Sequence, residues 1–353
     1  MVDITGSCQA LFQWKDEGSA AMENRRDRPT MQDIADRVGV SKALVSLVIR
    51  KAAGPSDDTR QRVFAAAEEL GYRVNRTAAL MTARRTHLIG VTTDIRNSFH
   101  AEMVEDIVEA ADRAGYEVVL GAVTPTHGEA KVLDTLLDFR CEGLILLGPE
   151  LTAAELTALG EKLPTVIVGR RASVASLDVV RAADGRGIAA VVDHLVELGH
   201  RDIAHVSGGS GLIAADRRNG YLRAMRRHGL GEEAVVIDGD FTENTGVSAA
   251  QSFLSGPRPT AVVCANDRIA IGMLDGLRRG GVDVPGEVSV TGYDDSLLAQ
   301  LAHIDLTSVS QEPAEQATRA VEAVVDRLDR GRTSPVSAVM APRLVVRGTT
   351  TRR

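Results

Sequence analysis

Several side chains that could bind a small polar molecule follow apolar segments typical of buried strands. Arg217 and Asp294 can each make paired hydrogen bonds to hydroxyl groups, and Phe99 and Phe241 can stack on the apolar face of a ring. The full set of candidate binding residues is Phe99, Arg170, Arg217, Phe241, Asn266, Asp294 and Gln311. This mixture suits a sugar-sized, hydroxyl-rich ligand, while each member could instead cap a helix or fill a core.

The same set of residues pairs no nucleophile with a base, so the sequence predicts a binding protein with no catalytic residues and no cofactor. The segment "GGSG" at 208–211 lacks the Lys-Ser/Thr ending of a phosphate-binding loop and is expected to be a turn between a strand and a helix. Three histidines lack the spacing of a metal site on one helix face, so we predict no metal site and expect them at the surface or hydrogen-bonded in the core: His194, His200 and His205.

Eight apolar runs alternate with helix-like stretches from His87 onward, and they would position these side chains. The runs are HLIGVTT, EVVLGAV, GLILLG, TVIVG, IAHVSG, AVVID, AVVCAND and VSVTGYD. Such alternation predicts parallel sheets covered on both faces, with ligands bound beyond the carboxyl ends of the strands. Because this region is too long for one open sheet of this kind, we expect two similar α/β lobes over residues 87–350.

Charge separates a small basic segment from this body. Residues 25–86 contain thirteen Lys or Arg against seven Asp or Glu, a net charge of +6, whereas the whole chain has a net charge of −7. Residues 87–353 therefore carry a net charge of −10. A basic head on an acidic body favours the binding of a polyanion by the head.

The basic segment contains "TMQDIADRVGVSKALVSLV" at residues 30–48, a pattern typical of two short helices joined by a tight turn. Thr30 and Asp33 form a capping-box pattern, Gly39 can adopt a left-handed turn, and Ser41 can cap the second helix. The inward positions are expected to be Ile34, Ala35, Val38, Val45 and Val48. The outward positions of the second helix are Lys42, Ala43, Ser46, Leu47 and Arg50. We predict a helix-turn-helix whose second helix enters the major groove of DNA.

A third helix is predicted to complete this small all-α head over residues 28–73. Ser56 would cap it, Gly71 would end it, and its inner face would be formed by Val63, Ala67 and Leu70.

Residues 30–91 resemble the head and hinge of the LacI/GalR family of bacterial transcriptional regulators. The matching segments are DIADRVGVSKALVS, TRQRVFAAAEELGY, NRTAALM and LIGV, and similar segments continue through the body, including VCANDRIAIGML and VDVPGEVSVTGYDDS. The resemblance implies a body like that of periplasmic sugar-binding proteins, with two Rossmann-like lobes joined by three crossovers. It implies a homodimer that binds a near-palindromic double-stranded DNA operator and responds to a small-molecule effector, a sugar or a sugar derivative.

The resemblance also assigns roles to residues. Base readout falls to Lys42, Ala43 and Leu47, and the positions that hold the DNA backbone are Thr30, Ser41, Ser46, Ser56, Thr59 and Asn75. The hinge, residues 74–86, would fold on DNA and insert Met81, with Leu80 before it, into a minor-groove base step. The effector positions matched by the family pattern are Arg217, Asn266, Asp294 and Gln311.

The chain departs from the family pattern at four positions. Leu47 stands where the family commonly has Arg, and Arg50 stands where it commonly has Asn, so a different base readout is expected because Leu cannot make two hydrogen bonds to guanine. Val74 replaces the usual hinge proline. Gly169, followed by two arginines, stands where many relatives carry Asp, which indicates an anionic or differently hydroxylated ligand.

Two other classes of protein share parts of this pattern. A periplasmic-type sugar-binding protein would need an export signal and no basic head, and a Rossmann-type enzyme would need a cofactor fingerprint or a catalytic pair. The sequence has neither set of features. Residues 1–27 show no hydrophobic period and are expected to be a disordered extension. Three widely spaced cysteines and no long apolar run lead us to expect a cytoplasmic protein that does not enter the membrane.

Overall fold

Three helices form the head, and the expected hydroxyl side chain caps each of them. The computed structural model describes residues 29–50, 52–72, 84–172, 174 and 176–353. The head helices are α1 (Met31–Val38), α2 (Lys42–Ile49) and α3 (Asp57–Glu69). The side chains of Thr30, Ser41 and Ser56 accept hydrogen bonds from backbone N–H groups in the first turn of α1, α2 and α3 respectively. Gly39 ends α1 with φ at 72°, the left-handed conformation that glycine tolerates.

The core of the head has the predicted inward residues, with one addition. Ile34, Ala35, Val45 and Val48 are fully buried. On α3 the buried residues are Val63 and Ala66, while the predicted Ala67 and Leu70 pack at the margin of this cluster. The inner face of α3 is therefore turned slightly from the predicted one. The predicted extension at 1–27 and the hinge residues Asn75, Leu80 and Met81 lie outside the described residues.

The described residues from 85 onward form a second compact unit, the body, which contains two lobes. Lobe 1 has a six-stranded parallel sheet in the order β11-β5-β4-β3-β1-β2. Its elements are β1 (Leu88–Asp94), α4 (Ser98–Arg113), β2 (Glu117–Val123), α5 (Glu129–Asp138), β3 (Gly143–Leu147), α6 (Ala153–Lys162), β4 (Thr165–Val168), β5 (Asp178–Ala182), α11 (Pro313–Asp329) and β11 (Ser337–Met340).

Lobe 2 has a four-stranded parallel sheet in the order β7-β6-β8-β9 and an antiparallel pair, β10 with β12. Its elements are α7 (Asp184–Glu197), β6 (Ile203–Val206), α8 (Leu212–Arg227), β7 (Val235–Ile237), α9 (Glu243–Ser255), β8 (Ala261–Cys264), α10 (Asp267–Arg279), β9 (Ser289–Thr291), β10 (Ser308–Ser310) and β12 (Arg343–Val345). Apolar clusters cover both faces of this sheet, as expected for parallel strands.

The chain passes between the lobes three times, which confirms the predicted crossovers. The passages lie between β5 and α7, between β10 and α11, and between β11 and β12. All eight predicted strands are present, and four strands were missed: β5, β10, β11 and β12. Among the described residues no helix is long and apolar enough to cross a membrane.

Candidate functional site

All seven candidate binding residues line one cleft of about 770 Å³ in the body. Both lobes line the cleft. Residues that follow β1, β3 and β4 of lobe 1 lie on one side, and residues that follow β6, β8 and β9 of lobe 2 lie on the other. This is the position that the carboxyl ends of parallel strands predict for a ligand. The structure brings these side chains together in one cleft, and their roles in ligand binding stay predictions.

Arg217 occupies the centre of the polar side of the cleft, and its position differs from the one predicted. It lies in the second turn of α8 and does not directly follow a strand. Its Nε donates to Asp184 Oδ1 at 2.8 Å, and its Nη1 donates to the carbonyl oxygen of Ala265 at 2.6 Å and to Asp294 Oδ1 at 3.4 Å. The guanidinium carbon lies 3.9 Å from the centroid of the Tyr293 ring. Arg217 is therefore held rigidly, with its position fixed before any ligand arrives.

Two buried carboxylates share this one cation. Burial raises the pKa of Asp184 and of Asp294, and the charge of Arg217 opposes both shifts. Asp294 also accepts a hydrogen bond from Gln311 Nε2 at 2.7 Å. Its φ of 115° is one that residues other than glycine rarely adopt, so the surrounding bonds hold strained backbone at this point. A carboxylate and a guanidinium side by side can accept from and donate to a ligand's hydroxyl groups.

Phe241 and Asn266 lie beside this polar group and depend on each other. The Phe241 ring rests on the backbone of Gly208, where a built Cβ would lie 2.2 Å from the ring, so only glycine allows this placement. Asn266 caps α10 by accepting from the N–H of Ile269 at 2.9 Å, and its Nδ2 donates to the carbonyl oxygen of Phe241 at 3.2 Å. Asn266 thus has the capping role that the sequence left open, while also lining the cleft.

Lobe 1 contributes Phe99 and Arg170. Phe99 lies in the first turn of α4 and is buried. Arg170 Nη2 donates to the carbonyl oxygen of Leu151 at 2.8 Å, and its buried Nε has no hydrogen-bond partner among the described residues. Burial lowers the pKa of Arg170.

Sequence reasoning missed several polar residues of the cleft. Asp94 ends β1, and Asn97 follows it as Phe99 does, so the same signal could have found both. Asp184, which holds Arg217, follows β5, a strand that the sequence did not reveal. The described part of the chain has no group of three or more His, Cys, Asp or Glu side chains placed to hold a metal ion.

His205 gives lobe 2 a pH dependence of stability. Its ring is fully buried, Nδ1 lies 2.8 Å from the carbonyl oxygen of Val263, and burial lowers the pKa of His205 to about 4. The unfolded chain therefore binds a proton more readily than the folded chain between about pH 6.5 and about pH 4, so stability is lost as pH falls through this window. From this group alone we expect unfolding free energy to fall by about 2 kcal/mol between about pH 7.5 and about pH 5.

Urea unfolding of the wild type and of His205→Asn at both pH values measures this effect. The stability difference between the two proteins should shrink, or reverse, as the pH falls. The same pH dependence in both proteins would contradict the assignment.

On the head, α2 presents the expected outward residues, although two of them are half-buried. Lys42, Ala43 and Arg50 are exposed, whereas Ser46 and Leu47 are half-buried. Arg50 Nε donates to the carbonyl oxygen of Ser46 at 3.2 Å.

The hydroxyl groups predicted to hold phosphates already have local partners. Thr30, Ser41 and Ser56 cap their helices, and the hydroxyls of Ser56 and Thr59 are hydrogen-bonded at 2.9 Å. The binding of DNA phosphates by these hydroxyl groups stays a prediction.

Comparison with known proteins matches both parts of the chain. Residues 30–75 match the family described as "Bacterial regulatory proteins, lacI family", and residues 192–350 match a periplasmic binding protein-like domain. The chain is 30% identical to the transcriptional regulator GalR of Escherichia coli (strain K12), over 90% of this chain and 94% of GalR.

Two solved structures are similar over nearly the whole chain. The lac repressor dimer bound to operator and an anti-inducer has a TM-score of 0.80 at 28% identity, covering 92% of this chain and 100% of that one. The regulator CelR in complex with cellobiose has a TM-score of 0.68 at 30% identity, covering 91% and 100%. With its helix-turn-helix head and its two-lobed body, this chain belongs to the LacI/GalR family of bacterial DNA-binding transcriptional regulators.

Proposed function

We propose that the protein is a repressor that binds a near-palindromic operator as a homodimer and is controlled by a small sugar or sugar derivative in the cleft. The observation that carries the proposal is the cleft itself: the seven residues chosen from the sequence for sugar binding line one cavity, and two of them, Arg217 and Asp294, are hydrogen-bonded to each other there. Cellobiose bound to the relative CelR supports the same chemical class. In this proposal the protein acts in the cytoplasm and catalyses no reaction.

In this proposal α2 enters the major groove of the operator. Lys42, Ala43 and Leu47 read base edges, Arg50 lies at the end of the same helix, and the remaining head residues hold the backbone. The net charge of +6 over residues 25–86 supports binding to phosphates. The start of α2 also offers backbone N–H groups, which attract phosphate oxygens. The proposed hinge roles of Asn75, Leu80 and Met81 rest on the family pattern alone.

A second copy of the chain is the partner that gives two heads to a two-fold operator. The related lac repressor is a dimer on its operator. Three leucines within five residues support a dimer here, since Leu297, Leu298 and Leu301 are 62%, 40% and 41% exposed in the single chain. Apolar side chains this exposed and this close together favour burial by another protein surface.

Control by the effector requires contacts that depend on how the lobes are arranged. Arg171, which follows β4 of lobe 1, binds Asp216 of α8 in lobe 2 through both carboxylate oxygens, with Nε 2.6 Å from Oδ2. Glu102 of α4 accepts a hydrogen bond from the N–H of Leu297 in lobe 2 at 2.9 Å. In this proposal an effector that binds both walls favours one lobe arrangement and so changes operator affinity by the same coupling energy.

The contact of Glu102 gives a prediction for the effector. In Glu102→Ala the lobes lose one hydrogen bond to a charged acceptor, so effector affinity is expected to fall about 3- to 10-fold, measured by titration calorimetry. The matched control is Glu105→Ala, an exposed residue on the same helix. Equal losses in the two variants would mean that the charge of α4, and not the contact between lobes, is responsible.

The experiment that tests the proposed function is selection of bound sequences from a random duplex pool by the purified protein at a fixed salt concentration. We expect a near-palindromic motif, because two identical heads read two half-sites. A panel of sugars in a thermal-shift assay, with nucleotide cofactors as the comparison, then identifies the effector. Binding that enriches no motif, with and without the effector, and that only weakens as salt rises would overturn the operator proposal.

A further inference from the structure

A groove lined by arginines lies between α7 and α8 of lobe 2, with a volume of about 730 Å³. Two acidic side chains, Asp184 and Asp216, are the carboxylates among its described lining residues. The arginines that line the groove are Arg171, Arg181, Arg186, Arg223, Arg226 and Arg227. The groove thus has a net charge of +4, while residues 87–353 as a whole carry −10. The charge of the groove is therefore opposite in sign to the net charge of the body.

Two glycines line the groove at the point where its two helices meet. Helices α7 and α8 approach each other at Gly185 and Gly220, where a Cβ built on Gly220 would lie 2.7 Å from the Cα of Gly185. The Nη2 atom of Arg223 lies above this point, 2.6 Å from the place of a Cβ on Gly185. The two glycines therefore allow the helices to pack closely, with the guanidinium group of Arg223 at the edge of their contact.

Four of the six arginines form no ion pair with a carboxylate of the described residues, and one of these four, Arg181, donates instead to the carbonyl oxygen of Ala182 at 3.0 Å. Arg171 binds Asp216, and Arg227 binds Asp193. Arg186, Arg223 and Arg226 are exposed, and within the described ranges none of them forms an ion pair. Guanidinium groups bind phosphate oxygens in pairs of parallel hydrogen bonds, and several of them around one cavity favour a ligand with several negative charges.

The groove and the effector cleft are linked by hydrogen bonds and an ion pair, although they share no lining residue. Asp184 and Asp216 line the groove. Asp184 also accepts the hydrogen bond from Arg217 Nε, and Asp216 binds Arg171, which comes from lobe 1. An anion bound to the arginines would compete with Asp184 and Asp216 for interactions with guanidinium groups. It would therefore alter the carboxylate that holds Arg217 and the ion pair that joins the lobes.

We propose that the arginine groove binds a small anion that carries two or more linked phosphate groups, separately from the effector cleft. Its volume accommodates a diphosphate attached to a sugar- or nucleoside-sized group. The anion contacts Arg186, Arg223 and Arg226. A second part rests on the proposed function: occupation of the groove changes effector affinity through Asp184 and Asp216.

Titration calorimetry of the full chain with inorganic pyrophosphate tests the site. We expect one saturable site per chain in the wild type, and binding at least about tenfold weaker in Arg223→Gln/Arg226→Gln, because each lost guanidinium removes charge-assisted hydrogen bonds. The matched control is Arg201→Gln/Arg218→Gln, which removes the same charge from exposed positions of lobe 2 outside the groove. Circular dichroism and thermal unfolding check that both variants fold.

The outcomes separate this proposal from the proposed function. Pyrophosphate that does not saturate the wild type, or that binds equally weakly in both double variants, overturns the site even when an operator motif is selected. Saturable binding lost only in Arg223→Gln/Arg226→Gln supports the site even when no motif is selected. For the coupled part, pyrophosphate should shift the effector affinity of the wild type and not that of Arg223→Gln/Arg226→Gln, and no shift in the wild type overturns it.

Discussion

Replacing Arg217 by alanine is expected to weaken effector binding at least about 100-fold and to remove the effector's influence on operator binding. The guanidinium is buried, is held by Asp184, Asp294 and the carbonyl oxygen of Ala265, and lines the cleft. Loss of its charged hydrogen bonds to a ligand accounts for several kcal/mol when the site is closed to water. Titration calorimetry with the effector found in the sugar panel measures this loss.

The same substitution leaves Asp184 and Asp294 buried without the cation that they share. Breaking a buried ion pair by removing one partner costs about 3–5 kcal/mol, a large part of the stability of a folded domain. A companion variant, Arg217→Ala/Asp184→Asn, removes the orphaned carboxylate with the shorter bond to Arg217 and should recover part of the lost stability without recovering effector affinity. Operator binding should persist in this double variant, and a folded double variant that binds effector normally would contradict the role of Arg217.

Replacing Leu47 by arginine is expected to change which bases the head selects. Leu47 is half-buried on the outward side of α2, and a leucine can only contact a thymine methyl group or pack against apolar atoms. Arginine can donate two hydrogen bonds to guanine, which is worth about 1–3 kcal/mol of discrimination, or about 5- to 150-fold. Repeating the random-pool selection with Leu47→Arg should enrich guanine at one symmetric pair of positions.

Controls for Leu47→Arg separate base readout from charge. An added positive charge alone strengthens binding to all sequences and steepens the salt dependence. Glu69→Arg on α3, where the wild-type carboxylate is exposed and pairs with Arg37, adds positive charge to the head away from α2. An unchanged motif for Leu47→Arg, with tighter binding to every duplex, would mean that position 47 contacts no base.

The fold was predictable where local patterns carried the information. The eight continuous apolar strands are regular parallel strands, and Thr30, Ser41 and Ser56 cap helices as their positions indicated. Strand β5 was missed because it begins with Asp178, a charge that the sequence alone places at the surface. In the structure Asp178 is fully buried, and Arg327 and Arg332 from the far end of the chain neutralise it. Because these two arginines are about 150 residues away in sequence, no pattern near Asp178 predicts that it is buried.

The sequence predicted which residues line the candidate site better than it predicted how those residues interact. The family pattern and the strand ends identified all seven residues that share the cleft. They did not reveal that Arg217 lies on a helix between two buried carboxylates, because Asp184 follows a strand that was missed. The arginine groove could not be predicted either, since its arginines come from two stretches of the chain, 171–186 and 223–227, that lie more than 30 residues apart and meet only in the folded body.

The three passages between the lobes set the order in which the protein can fold during synthesis. Among the described residues, the core of the head draws only on the stretch from Met31 to Tyr72, so this core can form early in synthesis. Lobe 1 begins much earlier than lobe 2 yet stays incomplete until near the end of the chain, because its core needs Ala317, Val321 and Val324 of α11 and Met340 of β11. Chains that stop before residue 313 would therefore carry a finished head on an unfinished lobe 1. Such fragments, released by premature termination, would bind DNA without any response to effector.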